Sequence, residues 1–163
     1  MLVFAKRFGD ISFEKLMKVY RDSCRENGLE FWPMETPERQ VALAEQDFYD
    51  YLIRSFFPVE GAVYAILQMN ERYVSALRLE PYRDGLLLEA LETAPDCRCK
   101  GYAKNLIQAV LDQYAGVKIY SHVDKRNLPS LRTHETCGFR RILEYAVYID
   151  GSVNDRCCTF CRE

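Results

Sequence analysis

The chain has 163 residues, with 22 Lys and Arg against 24 Asp and Glu, a formal net charge of −2. Apolar residues make up 48% and charged residues 28%, which excludes a disordered chain and fits one globular domain, 1–163, with a substantial core. The near-neutral balance argues against a general nucleic-acid binder, which is expected to be basic.

Leu2 to Phe8 reads as a short strand ending at Gly9-Asp10. Ser12 is placed to cap a helix in which Phe13, Leu16, Met17, Tyr20 and Cys24 recur at helical spacing, and Gly28 is expected to stop it. Leu29 to Glu35 reads as a loop carrying Phe31, Trp32, Pro33 and Met34. Thr36-Pro37 opens a second helix, whose apolar face runs through Val41, Phe48, Leu52 and Phe56 until Pro58 ends it. The period then changes to two. Ala62–Met69 and Tyr73–Leu79 form a hairpin, and Leu86–Thr93 a third strand closed by Pro95. A loop, Asp96–Lys100, leads to Gly101 and an amphipathic helix through Leu106, Ile107, Val110, Leu111 and Tyr114. Val117–Val123 is a strand, Pro129–Cys137 a short helix opened by Asn127, and Arg141–Ile149 and Val153–Cys161 are closing strands joined by Asp150-Gly151. The order is that of a mixed α/β domain.

No apolar run reaches the roughly 18 residues of a membrane span, so no membrane association is expected. The N-terminus lacks the pattern of an export signal, so the seven cysteines are expected to be reduced thiols in the cytoplasm. Cys157, Cys158 and Cys161 sit on a strand that places the last two on opposite faces, and no second matched pair accompanies them. No metal is therefore expected.

Chemistry concentrates in Ala94 to Ala103. A strand ends, a short loop carries Arg98 and Lys100, and a helix begins at Gly101. A helix N-terminus with unpaired N–H groups, a small residue beside it and two cations suits a phosphate. The spacing is neither that of a P-loop nor a GxGxxG fingerprint. The alternative is an ordinary strand-to-helix connection with solvated cations.

The segment Arg98-Cys99-Lys100-Gly101-Tyr102-Ala103 resembles the acetyl-CoA motif Arg/Gln-x-x-Gly-x-Gly/Ala of the GNAT N-acetyltransferase superfamily. A second motif of that superfamily is matched by Asn127, Ser130, Gly138 and Phe139, one helix and one strand later. The element order agrees across nearly the whole chain. The resemblance implies a predominantly antiparallel mixed sheet with flanking helices. It also implies direct transfer of an acetyl group from acetyl-CoA to a primary amine of a small molecule or peptide, by a monomer or homodimer. A sensor that binds acyl-CoA without turnover, or an enzyme acting on protein N-termini or lysines, are the alternatives.

By the same resemblance, backbone groups of Leu91, Glu92 and Thr93 bond the pantetheine arm, and amides from Cys99 to Lys104 hold the pyrophosphate. Asn127 faces the pantetheine or thioester end, and Lys104 and Arg132 the 3′-phosphate end. The family's tyrosine, the acid toward the leaving thiolate, is replaced by His134. A histidine can donate a proton, but pH-dependently; a packing role is the alternative. His122 is a candidate base, or a strand-end histidine bonded to backbone. Glu89 and Glu92 are competing bases on the strand facing the acceptor. Three positions apart, they fall on opposite faces unless a bulge, which the resemblance suggests, brings both to the cleft. Phe31 and Trp32 are candidate acceptor contacts, or packing between the first two helices.

Overall fold

Nearly continuous apolar runs in the middle of the chain bury both faces of a central sheet. The computed structural model describes residues 1–163. The strands are β1 (Leu2–Ala5), β2 (Val63–Met69), β3 (Arg72–Tyr82), β4 (Gly85–Thr93), β5 (Lys118–Asp124), β6 (Arg140–Leu143), β7 (Ala146–Val147), β8 (Val153–Asn154) and β9 (Cys157–Arg162). The helices are α1 (Phe13–Val19), α2 (Arg21–Phe31), α3 (Pro37–Tyr51), α4 (Tyr102–Gln113) and α5 (Leu128–Thr136). Seven strands form one sheet in the order β1-β2-β3-β4-β5-β9-β6, and β7 and β8 pair apart from it. Every pairing is antiparallel except β4 with β5. This is the mixed α/β, mostly antiparallel architecture expected.

In β2, Val63, Ala65 and Leu67 join the core under α4 and α5, while Tyr64 and Ile66 face the core under α1–α3. Both sets are buried, so the strand reads as a continuous apolar run. Ser12 caps α1 by accepting from the Lys15 N–H, and Thr36 caps α3 through the Arg39 N–H, with Pro37 in the first turn.

Four elements differ from the sequence expectation. The first predicted helix breaks at Tyr20, where ψ is 18°, and restarts as α2. Gly28 does not stop α2, which runs on to Phe31 and shortens the expected loop. A Cβ at Gly28 would lie 2.7 Å from the Gln40 carbonyl oxygen of α3, so the glycine serves a close helix contact. The second helix is regular only to Tyr51 and then widens into a π-turn over Leu52–Phe56. The two long closing strands are each split: β6 and β9 stay in the main sheet, while β7 and β8 peel away as a hairpin.

Candidate active site

β4 carries the irregularity on which the site is built. Ala76 pairs with Glu92 and Arg78 with Glu89, so Ala90 and Leu91 together stand against Leu77. Ala90 takes φ of 50°, and the Tyr20 hydroxyl donates to its carbonyl at 2.6 Å. The extra residue reverses the alternation, so Glu89 and Glu92 line the same cavity. Pairing of β4 with β5 stops at Leu88 and Ser121, while β5 continues along β9 to Asp124. The two parallel strands therefore part just before the bulge.

On one side of the parting lies a groove of about 680 Å³. Leu91, Glu92 and Thr93 of β4, Arg98, Cys99, Gly101, Tyr102, Ala103 and Lys104 of the following segment, and Asn127 all line it. Gly101 has φ of 81°, a left-handed turn that suits glycine, and no side chain caps α4. The first-turn amides are left for a ligand or water. The Asn127 side chain caps α5 by accepting from the Ser130 N–H at 3.2 Å. Lys100 is turned aside, its Nζ donating to the Asp96 carbonyl at 3.1 Å, and neither it nor Arg132 lines the groove.

The opposite wall of the groove is acidic. Asp22, Ser23 and Glu26 of α2 line it. Asp22 holds the Arg98 guanidinium at 2.9 Å, and Arg98 Nε also donates to the Thr93 carbonyl at 3.2 Å. The motif arginine is thus bound to protein partners on both sides.

The second cavity, about 460 Å³, lies between α2, α3 and the bulged strands. Phe31 and Trp32 line it, with Tyr20, Phe48 and Tyr51. Met34 of the predicted loop wall is instead 95% exposed. Asp47, Arg78, Glu89 and Glu92 supply charge. Ser23 and Glu92 line both cavities, and the Ser23 hydroxyl donates to Glu92. Burial pushes the Glu92 carboxyl above the usual carboxylate range, against that hydrogen bond and the nearby Arg98 charge. Glu80, buried on β3, is pushed to about 7 by burial and then by the Glu89 charge.

The two histidines lie on opposite faces of the sheet. His134 is only 2% exposed, packed edge-on to Phe139 and tilted over Phe160, with Nδ1 2.8 Å from the Ser130 carbonyl. It lines neither cavity, and its Nε2 is buried without a partner. Burial lowers its pKa. Ser130 and Thr133 of the same helix line the groove, while His134 is buried away from it. His122 sits edge-on to Tyr82 and Tyr148, with both ring nitrogens buried and unpartnered, so the backbone bond foreseen as its alternative is not made. Burial, then the Arg83 charge, lowers its pKa, and it too lines neither cavity.

Ser23, Asp47 and Arg78 escaped the sequence reading. Each comes from an element distant in sequence from the two motifs, and no motif marks it. All seven cysteines are free, and no group of three or more His, Cys, Asp or Glu side chains is placed to hold a metal. No helix is long and apolar enough to cross a membrane.

The model of the acetyltransferase (GNAT) family matches residues 14–139. No curated protein matches the chain. Among solved structures, the chain is similar to the PaiA N-acetyltransferase of Thermoplasma acidophilum in complex with coenzyme A. That match has 13% identity and a TM-score of 0.64, covering 100% of this chain and 99% of that one. It is similar to an aminoglycoside 6′-acetyltransferase type Ii at 11% identity and a TM-score of 0.64, covering 99% and 96%. The ribosomal-protein-S18-alanine N-acetyltransferase of Escherichia coli matches at 16% identity and a TM-score of 0.59, covering 99% and 92%. At these identities the likeness is one of fold.

Proposed function

Because the chain belongs to the GNAT acetyltransferase family, we propose that it moves an acetyl group from acetyl-CoA directly to a primary amine of a small molecule or peptide. The observation that carries this reading is the junction of the two cavities at Ser23 and Glu92, beside the β4 bulge. A thioester laid along one cavity meets an amine laid in the other only there. The PaiA protein with coenzyme A supports the choice of cofactor.

In this scheme Leu91, Glu92 and Thr93 bond the pantetheine through their backbone, as an added strand would. The amides from Cys99 to Lys104 hold the pyrophosphate at the α4 N-terminus. Arg98 joins them on leaving Asp22, and Lys104 serves the 3′-phosphate end. Asn127 faces the pantetheine. A backbone N–H of the splayed strand stabilises the oxyanion as the amine attacks. Glu92, raised in pKa and lining both cavities, removes the proton the amine loses and passes it to the departing thiolate. That leaves amide, coenzyme A thiol and the carboxylate as it began. Glu89 holds the incoming ammonium, which gives up one proton to water before it attacks as the neutral amine. Neither His122 nor His134 is needed. The whole chain, 1–163, is one such domain, and its seven free thiols fit a reducing cytoplasm.

The test is coenzyme A release over a panel of amines, polyamines, aminoglycosides, amino acids and peptides, beside thermal unfolding with acetyl-CoA. A raised midpoint together with release from an amine is the expected result. A raised midpoint without release from any amine would favour a sensor, a reading that the burial of His134 in the place of the family's tyrosine supports. No rise in midpoint would sink both.

A further inference from the structure

The reaction proposed above asks only for a nucleophilic nitrogen, yet the acceptor cavity offers more. Arg78 is the one cation among its lining side chains. It stands in a row across three strands, opposite Tyr64 on β2 and Glu89 on β4. Its guanidinium lies 4.7 Å from the centroid of the Tyr51 ring and 5.7 Å from that of Phe56. Those rings orient a cation without giving it a hydrogen-bond acceptor. Its Nε is buried and has no partner, and neither has the hydroxyl of Tyr64 beside it. Burial works against the Arg78 charge, while Glu89 favours it through space. A buried guanidinium donor aimed at no protein acceptor is the signature of a group that the ligand completes.

The rest of the cavity fits the remainder of such a ligand. Phe31, Trp32, Phe48 and Tyr51 form its wall, and Glu89 and Glu92 stand where an ammonium must arrive. At about 460 Å³ it is sized for a small molecule.

Resting on the acetyl-transfer reading, we propose that the acceptor is a zwitterion: a free α-amino acid with a large apolar or aromatic side chain, its carboxylate bound by Arg78 and its amine presented at Glu92. A planar guanidinium pairs with a carboxylate through two parallel hydrogen bonds. A simple arylalkylamine or an amidated amino acid leaves the Arg78 donors unmet, and a site built around a buried polar contact discriminates strongly against a ligand that lacks it.

Matched pairs test this directly: phenylalanine against phenethylamine and phenylalaninamide, and tryptophan against tryptamine, each read as kcat/KM for coenzyme A release. The amino acid of each pair is expected to exceed its partners by about tenfold or more. In Arg78→Met the ratio within each pair is expected to fall by about tenfold, with Arg78→Lys between the two. Stabilisation by acetyl-CoA reports that each variant is folded. Equal or better use of the decarboxylated amines by the unaltered protein, or a pair ratio unmoved in Arg78→Met, overturns the zwitterion while leaving acetyl transfer standing. Acetyl-CoA binding with no release from any amine overturns the transferase reading and this inference with it.

Discussion

Glu92 touches both cavities, and the acetyl-transfer scheme puts its whole proton balance there. Glu92→Gln keeps the shape and the Ser23 contact but cannot take a proton. Turnover is expected to fall by about 10²-fold or more, with acetyl-CoA affinity nearly unchanged. Because burial raises the carboxyl pKa, the unaltered protein loses turnover as pH falls through that raised value. Steady-state kinetics across pH check this, and an unchanged acid limb in Glu92→Gln would move the base elsewhere. His134 gives the opposite expectation. Packed between Phe139 and Phe160, it is a core residue, so His134→Ala is expected to cost roughly 2–3 kcal/mol of stability while the folded fraction turns over normally. Its folded pKa is depressed, so the stability it contributes is present above the usual histidine value and lost as pH falls through the folded one. Melting curves at descending pH are expected to show a shallower acid loss in the variant. The sequence carried the motif position of His134 but not its burial, because Phe160 reaches it from the last strand of the chain. That Arg98, Cys99, Gly101, Tyr102 and Ala103 share one groove was legible, by contrast, because a helix N-terminus and its loop are a contiguous stretch; Lys100 of the same stretch turns aside.

Elements bring the cavity together through two devices, and only one could be read beforehand. The β4 bulge is what the family resemblance suggested, against the opposite faces that the spacing of Glu89 and Glu92 alone implies, and it is present at Ala90 and Leu91. The close approach of α2 and α3 was hidden, because a glycine near a helix end reads as a stop. Whether Gly28 ends a helix or admits a neighbour depends on Gln40, which belongs to another element. Gly28→Ala places a methyl carbon 2.7 Å from the Gln40 carbonyl oxygen, and backbone yields less readily than the tip of a side chain. The helices are expected to be pushed apart at a cost of about 1–3 kcal/mol. Since Asn27, Phe31 and Trp32 of this segment line the acceptor cavity, KM for the amine is expected to rise with acetyl-CoA affinity preserved. A lowered melting midpoint with an unchanged KM would show that α2 relaxes without disturbing the cavity.

At the scale of the molecule, the −2 net charge is an average over unlike parts. Residues 96–141 hold nine basic and four acidic residues, a balance of +5, and the remainder carries −7. The basic window contains both motifs, which suits a polyanionic cofactor. The fold mixes the two populations more than the sequence suggests, because α2 lays Asp22 and Glu26 along the cofactor groove and ties Asp22 to Arg98. Such a half-exposed pair contributes about 0–1 kcal/mol to stability, so breaking it costs the fold little. Its effect on an incoming pyrophosphate is larger, since it both occupies the motif cation and adds a like charge to the groove. Asp22→Asn is therefore expected to tighten acetyl-CoA binding by roughly three- to tenfold at low salt, with no loss of melting midpoint. The advantage is expected to shrink as salt is raised from about 0.05 M to about 0.5 M, where screening shortens to a few ångströms. Titration calorimetry at both salt concentrations measures it. An affinity unchanged or weakened in Asp22→Asn at low salt would mean that the bridge to α2 holds Arg98 where the cofactor needs it.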